Sequence, residues 1–396
     1  MPDFPLSQRV QTIKASPTLV VTARAAELQA QGKDIISLGA GEPDFDTPQF
    51  IKDAAIAAIN AGLTKYTPVG GTPELKRAVI DKFTRENGLD YTADQILVSV
   101  GAKQSFYNLV QALINPGDEV IIPAPYWVSY LDIVLLAEGV PVVVTAGHDQ
   151  AFKITPDQLG AAITSRTRLV VLNSPSNPTG AVYSAAELRA LGEVLLSHPH
   201  VIVASDDIYE HILWTPEPFC NILNACPDLY GQTIVLNGVS KAYAMTGWRI
   251  GYAGGPKPLI SAMAKVQSQS TSNPASISQA AARAALEGDQ SCVKEMCKIF
   301  EQRHDFVVQA LNAMPGVECV PSAGTFYSFP AMHGAIEALG NVTDDVALAE
   351  YLLDEAGVAV VPGSAFGMPG YVRLSYATHM DDLKKAMTRI RGALEQ

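Results

Sequence analysis

The chain has 396 residues, 48% of them apolar, enough to bury a large core and, by length, to form two or more domains. Its 28 basic and 40 acidic residues leave a net charge of −12, which argues against a general nucleic-acid binder but not against an anionic ligand, because pocket charge is local. Five cysteines (Cys220, Cys226, Cys292, Cys297, Cys319) show no paired metal spacing, and no stretch approaches the roughly 18 apolar residues of a membrane span. Residues 1–6 lack a basic start with an apolar run, so the expectation is a reduced, cytoplasmic protein with no bound metal, membrane segment or signal peptide.

In chain order, residues 1–20 are too short to fold alone and are expected to lie as an arm on the body or on a partner subunit. Short β-branched runs predict strands at 96–100, 119–123, 140–145, 167–172, 201–206, 233–237 and 249–253, with helices near 104–114, 127–138 and 184–197. That alternation predicts an α/β fold whose mostly parallel seven-stranded sheet is covered on both faces. After Pro256 the pattern is helical to about Ala313, as two or three helices around Pro274. Beyond it, strands at 317–320, 325–329, 358–361 and 371–375 mix with helices at 344–356 and 380–395, predicting a smaller α+β domain. The expected division is 1–45 for the arm and part of the small domain, 46–290 for the large domain, and 291–396 for the small C-terminal domain.

Four segments carry chemistry. Ile96 to Gln104 reads as a strand, Gly101 and a helix start at Ala102, where backbone N–H groups can receive an anion. Leu172 to Gly180 places Asn177 in a proline-bounded turn at a strand's C-terminal end, where open α/β sheets bind ligands. Val201 to Glu210 ends an apolar strand on Asp206, with the Tyr209 phenol three residues on; a buried aspartate beside a pyridine nitrogen keeps that nitrogen protonated. Asn237 to Gly251 puts Lys241 just after an apolar strand, where desolvation can free its amine to condense with a carbonyl. Arg249, eight residues later, supplies a fixed cation suited to phosphate. An aldehyde that also carries a phosphate is pyridoxal phosphate, whose protonated ring acts as an electron sink. Each segment alone has a plain structural reading: a strand–glycine–helix unit common to α/β proteins, an ordinary turn, a helix N-cap aspartate, a surface lysine.

Taken together and in this order, the segments resemble the class I aminotransferases of pyridoxal-phosphate fold type I. The nearest likeness is the bacterial aspartate aminotransferase branch, which includes some prephenate aminotransferases. The likeness runs from Ser7 to the last helix and includes Gly39 to Phe45, Lys65 to Pro68, Pro125 to Tyr130 and Tyr371 to Tyr376. It implies a large cofactor-binding domain in which Lys241 carries the cofactor and shuttles a proton. Asp206 pairs with the ring nitrogen, Tyr209 and Asn177 bond the phenolic oxygen, and Trp127 stacks on the ring. Arg249, Gly101 and Ala102 hold the phosphate. The tyrosine matching Tyr66 reaches the phosphate of a neighbouring subunit, which implies a homodimer with shared sites.

Arg373 matches the clamp for the substrate α-carboxylate, Gly41 lets the backbone approach the same group, and Trp127 and Asn177 border it. The partner arginine of animal-type enzymes has no counterpart in Ser268 to Pro274. Instead Lys103, with hydroxyls at Ser16 and Thr18, matches the branch's site for a second carboxylate, which points to aspartate and glutamate. Lys14 matches a lysine associated with prephenate transamination. Departures are slight: Asp207 stands where glutamate is frequent, and Gly238 leaves one phosphate hydroxyl to another residue, for which Ser240 is a candidate. Aminotransferases of alanine or aromatic amino acids, and a C–S β-lyase, share the same cofactor residues. A non-enzymatic regulator would need a DNA-binding segment that residues before Ser7 do not supply.

Overall fold

Strands β1 (Ile36–Ser37), β2 (Ile96–Ser99), β3 (Glu119–Ala124), β4 (Val140–Thr145), β5 (Thr167–Asn173), β6 (Ile202–Asp206), β7 (Thr233–Gly238), β8 (Gly251–Gly254), β9 (Tyr327–Ser328), β10 (Val358–Ala359), β11 (Val361–Pro362) and β12 (Val372–Ser375) alternate with helices in a computed structural model. Residues 4–395 are described; the first three residues of the expected arm and the final residue of the C-terminal segment lie outside them. Seven strands form one sheet in the order β2-β8-β7-β6-β5-β3-β4. Only β8 runs against the rest, pairing antiparallel with both β2 and β7. The expected seven-stranded, mostly parallel sheet is present.

The sheet is buried on both faces because its side chains alternate between two cores. Ile121, Val170, Val203 and Val235 face one core, packed with the helices at Gln49–Asn60, Pro73–Lys82, Ala185–Leu196 and Ser276–Glu287. Their neighbours Val120, Ile122, Leu169, Val171, Ile234 and Leu236 face the other, covered by Ala102–Leu113, Ser129–Leu136 and Lys257–Ser268. Local capping sets several helix starts: the Thr72 hydroxyl accepts from Leu75 N with Pro73 in the first turn, and Ser184 and Glu187 form a reciprocal capping box.

A smaller core gathers the helices Ser291–Asn312, Asp345–Glu355 and Met380–Leu394 with β9, β10 and β12. The long helix passes from one body to the other, since Val293 belongs to the large core and Met296 to the small one. Ile36 and Leu38 join the small core, where β1 pairs with β10. Ile208 and Tyr209, in the turn after β6, reach into it too.

Several short elements differ from expectation. Val317–Val320 is not a strand; only Glu318 makes a single bridge, to Ala331. The expected strand at 358–361 is split, β10 serving β1 and β11 serving β12. The expected arm contains the helix Gln8–Thr12, which packs against Ser129–Leu136, and Pro17 opens a helix to Ala30. Among the described residues, no helix is long and apolar enough to cross a membrane.

Candidate active site

A cavity of about 440 Å³ opens at the carboxyl ends of β5, β6 and β7, between the large sheet and the smaller core. Lys241 stands three residues beyond β7, and its Nζ donates to Gly41 O at 2.5 Å. Burial lowers its pKa to about 8, the Arg373 and Arg249 charges push the same way, and Glu42 and Asp206 oppose them. An amine so placed is free of its proton far more readily than an ordinary lysine.

Asp206 closes β6 as a buried carboxylate. Its Oδ2 accepts from the Tyr130 hydroxyl at 2.5 Å and its Oδ1 from Ile208 N at 3.3 Å. Burial raises its pKa to about 6 against the pull of Tyr130, Ile208 and Lys241. On the neighbouring β5, Asn173 Nδ2 donates to Asp206 O at 2.9 Å, and Asn173 Oδ1 accepts from Asn177 N at 2.9 Å. The two strand ends are thereby locked together, with Asn177 facing the cavity.

Arg373, on β12, is only 1% exposed. Its Nη1 donates to Asn177 Oδ1 at 3.0 Å and its Nη2 to Gly39 O at 2.7 Å, while Nε is buried without a partner. The guanidinium lies 4.5 Å from the centre of the Tyr327 ring and 5.0 Å from that of Phe366. Among the described residues no carboxylate forms a salt bridge with it, and burial pulls its pKa down.

At the opposite end, Arg249 adopts a left-handed backbone (φ 56°) that turns its guanidinium toward the start of the helix Ala102–Leu113. Its Nη1 donates to Thr246 O at 2.9 Å, and its Nη2, beside that helix start, to Val100 O at 3.4 Å. Gly101 caps that helix at φ 85°, and a Cβ at this position would lie 2.3 Å from Arg249 Nη2. Glycine is therefore required both for the backbone and for the arginine. The first N–H groups of the helix, at Ala102 and Lys103, have no helical carbonyl behind them. Lys103 Nζ sits 5.1 Å from the Trp127 ring centre, its pKa lowered by burial and by Arg249.

Ser16, Thr18, Gly41, Ala102, Lys103, Trp127, Asn177, Asp206, Tyr209, Lys241, Arg249 and Arg373, scattered through the sequence, all line this cavity, and Ser240 does so as well. Three expected site residues do not: Gly101 lies just behind the lining, beside Arg249, and Tyr66 and Lys14 lie elsewhere. Tyr66 is 92% exposed and lines a separate surface groove with Leu63, Asn273 and Ser276. Lys14 is exposed on the arm, where its charge acts on Asp132. Sequence reasoning assigned no role to Tyr130, Tyr327, Asn173, Glu42 or Thr246, all of which line the cavity. Tyr130 ends the segment Pro125 to Tyr130 and Tyr327 lies in the expected strand 325–329, but nothing in the sequence announces that the Tyr327 and Tyr209 hydroxyls meet at 2.9 Å. A loosened amine, a buried carboxylate and three cations without salt-bridge partners among the described residues suit an anionic ligand that bears a carbonyl or an amine.

The family model described as aminotransferase class I and II matches residues 33–390. An aspartate/prephenate aminotransferase from Nitrosomonas europaea is 61% identical over 394 residues, covering 98% of this chain and 99% of its own. An aspartate aminotransferase from Geobacillus stearothermophilus is 53% identical, covering 98% and 99%. Among solved structures, the aspartate aminotransferase of Rhizobium meliloti superposes with a TM-score of 0.96 at 52% identity, covering 99% of each chain. The Thermus thermophilus aspartate aminotransferase with maleate gives 0.92 at 45% identity, covering 99% of this chain and 100% of that one.

Proposed function

Because this chain belongs to the class I and II aminotransferases, we propose that it moves the amino group of aspartate to a 2-oxo acid such as 2-oxoglutarate, with pyridoxal phosphate as its bound cofactor. The observation that carries this reading is a single cavity lined by the loosened Lys241 amine and by two cations, Arg373 and Lys103, neither of which forms a salt bridge among the described residues. Two such cations suit a dicarboxylic amino acid. The relatives named as aspartate aminotransferases, and the Thermus thermophilus structure with maleate, a four-carbon dicarboxylate, support the same substrate class.

The residues present fit the cofactor. The Gly101 cradle, which any side chain would fill, keeps Arg249 beside free helix N–H groups, a donor set for a phosphate. Asp206, buried and pushed toward neutrality, gains a partner in a pyridinium nitrogen. When bound, pyridoxal phosphate supplies an aldehyde for amines and an electron-poor ring that stabilises negative charge at the adjacent carbon. Lys241 would take the proton from the substrate α-carbon and deliver it to the cofactor carbon C4′ on the other side of the nitrogen, acting as base and then acid. Asp206 holds the proton on the ring nitrogen, and Tyr130 holds Asp206. Tyr209 and Asn177 orient the ring's phenolic oxygen, and Trp127 covers one ring face. Arg373, already bonded to Asn177, takes the α-carboxylate through its fork, and Gly41 admits it. Lys103, with Ser16 and Thr18, takes the distal carboxylate.

Prephenate is proposed as a second substrate, supported by the relatives named as aspartate/prephenate aminotransferases; Lys14 would meet its ring carboxylate from the arm. A second copy of the chain is the proposed partner, supported by the exposed Tyr66, which shares a groove with exposed Leu63, and by the exposed Ile56 and Ile59. The proposed location is the cytoplasm, and no metal is assigned. The test is a panel of aspartate, alanine and phenylalanine against 2-oxoglutarate and prephenate on the purified yellow protein. Aspartate is expected to lead. Lys103→Ala should lower kcat/KM for aspartate by about 10–100-fold while leaving alanine within about twofold. Preference for alanine, or free ammonia and pyruvate from a cysteine-type substrate, would overturn the assignment.

A further inference from the structure

Residues 36–47 form a strap between the two cores. It starts on the smaller core, where Leu38 N donates to Ala359 O at 2.8 Å and Ser375 N to Leu38 O at 2.7 Å. It ends on the larger one, where the Thr47 hydroxyl donates to Ala244 O at 2.6 Å and accepts from Trp248 Nε1 at 3.0 Å. Between 39 and 46 it makes no backbone–backbone hydrogen bond among the described residues. Yet Gly39 O and Gly41 O are the acceptors for Arg373 and Lys241, and Glu42 accepts from the Thr246 hydroxyl at 2.7 Å. A segment with no ladder of its own must be held in register by side chains.

The holding contact is Arg303, on the helix Ser291–Asn312. Its two terminal nitrogens grip Asp44 Oδ1 at 2.7 Å and Oδ2 at 2.8 Å, a fork-to-fork pair buried on the arginine side. The guanidinium also lies 5.3 Å from the Phe45 ring centre and 5.7 Å from that of Phe300. Its Nη1 is 3.5 Å from Tyr376 O, the residue that follows β12 and hence the strand bearing Arg373. One planar group thus touches the strap, its own helix and the end of the strand that carries the clamp.

We propose that Arg303 and Asp44 are positioning residues for the substrate α-carboxylate, holding Gly41 and Arg373 as one unit. The proposal rests on the reading above that Arg373 and Gly41 receive that carboxylate. Every amino acid substrate has this group, so loss of the grip weakens all donors equally. Lysine cannot copy a two-pronged grip, and asparagine keeps only part of it.

The experiment is steady-state kinetics of the holoenzyme with aspartate and with alanine for Arg303→Lys, Asp44→Asn and, as control, Arg373→Lys. Arg303→Lys is expected to raise KM for both donors by the same factor, on the order of tenfold, with kcat changed less than about threefold. Asp44→Asn should follow in the same direction. The pH titration of the bound cofactor's absorbance should not move. If Arg373→Lys raises KM while both strap variants lower only the unfolding temperature, the positioning role is overturned. It is overturned equally if only one donor responds. If Arg373→Lys is itself silent, the α-carboxylate reading fails, and the proposal with it.

Discussion

Lys82 and Arg373 are both buried cations, and their surroundings could hardly differ more. Lys82 ends the helix Pro73–Lys82 inside a closed network: it bonds Glu210 and, at 2.7 Å, Asn87 Oδ1, with Glu86 at 3.6 Å. Glu210 is further satisfied by Asn87 and Asn237, each at 2.6 Å, and Lys82 with His211 holds its pKa down despite burial. Arg373 has two neutral oxygens, two aromatic faces and an unsatisfied Nε. The turn from Asp206 to His211 supplies both settings, with Asp206 and Tyr209 toward the cavity and Glu210 toward the network. A charge whose demands are met inside the protein is structural, whereas one left short is available to a ligand.

Replacing each cation by methionine tests this contrast most severely. Lys82→Met should cost about 3–5 kcal/mol of unfolding free energy in a denaturant titration, because it strands Glu210 without its cation. Arg373→Met should change stability by less than about 1 kcal/mol, yet lower kcat/KM by on the order of 10³-fold. Equal stability losses in the two variants would erase the distinction.

Asp206 gives a smaller effect of the opposite sign. Its folded pKa, raised to about 6 from 3.8, means the folded protein binds the proton more tightly than the unfolded chain does. Stability therefore falls as pH rises from about 4 to about 6, and the full penalty stands above that window. Asp206→Asn should accordingly raise the stability of the cofactor-free protein at pH 8, by at most about 3 kcal/mol, with the gain vanishing below about pH 4. A loss of stability at pH 8 would contradict the burial argument. The mildest probe is Lys241. The rate at which the cofactor-free protein takes up pyridoxal phosphate should climb with a midpoint near pH 8, where an ordinary lysine would lie near 10.5. A midpoint near the ordinary value would show an amine in contact with bulk water.

The sheet was legible because most of its strands are apolar, β-branched runs long enough to declare themselves; β8, Gly251–Gly254, is the exception and was reached through its neighbours Arg249 and Ile250. The smaller core was legible in its helices, found at Asp345–Glu355 and Met380–Leu394, but less so in its strands, since β9, β10 and β11 have two residues each and exist only through pairing with other segments. The N-terminal helices were passed over although Ser7, Ser16 and Thr72 stand before their starts, the last with Pro73 in the first turn. In the site, residues at strand ends (Asn177, Asp206, Lys241) could be read in place, because strand ends in α/β sheets face ligands. Tyr327 and Glu42 could not. Their meaning lies in a hydroxyl meeting Tyr209 across 118 positions and a carboxylate meeting Thr246 across 204.

The carbonyls of Gly39 and Gly41 have a consequence for turnover. Arg373 and Lys241 already donate to them, so an arriving carboxylate or amine trades one hydrogen-bond partner for another and adds few new ones. Such swaps keep the ground-state affinity modest for reactant and product alike. On the proposed reading, the strap that positions Arg373 would also offer it and Lys241 a partner to return to once the product departs.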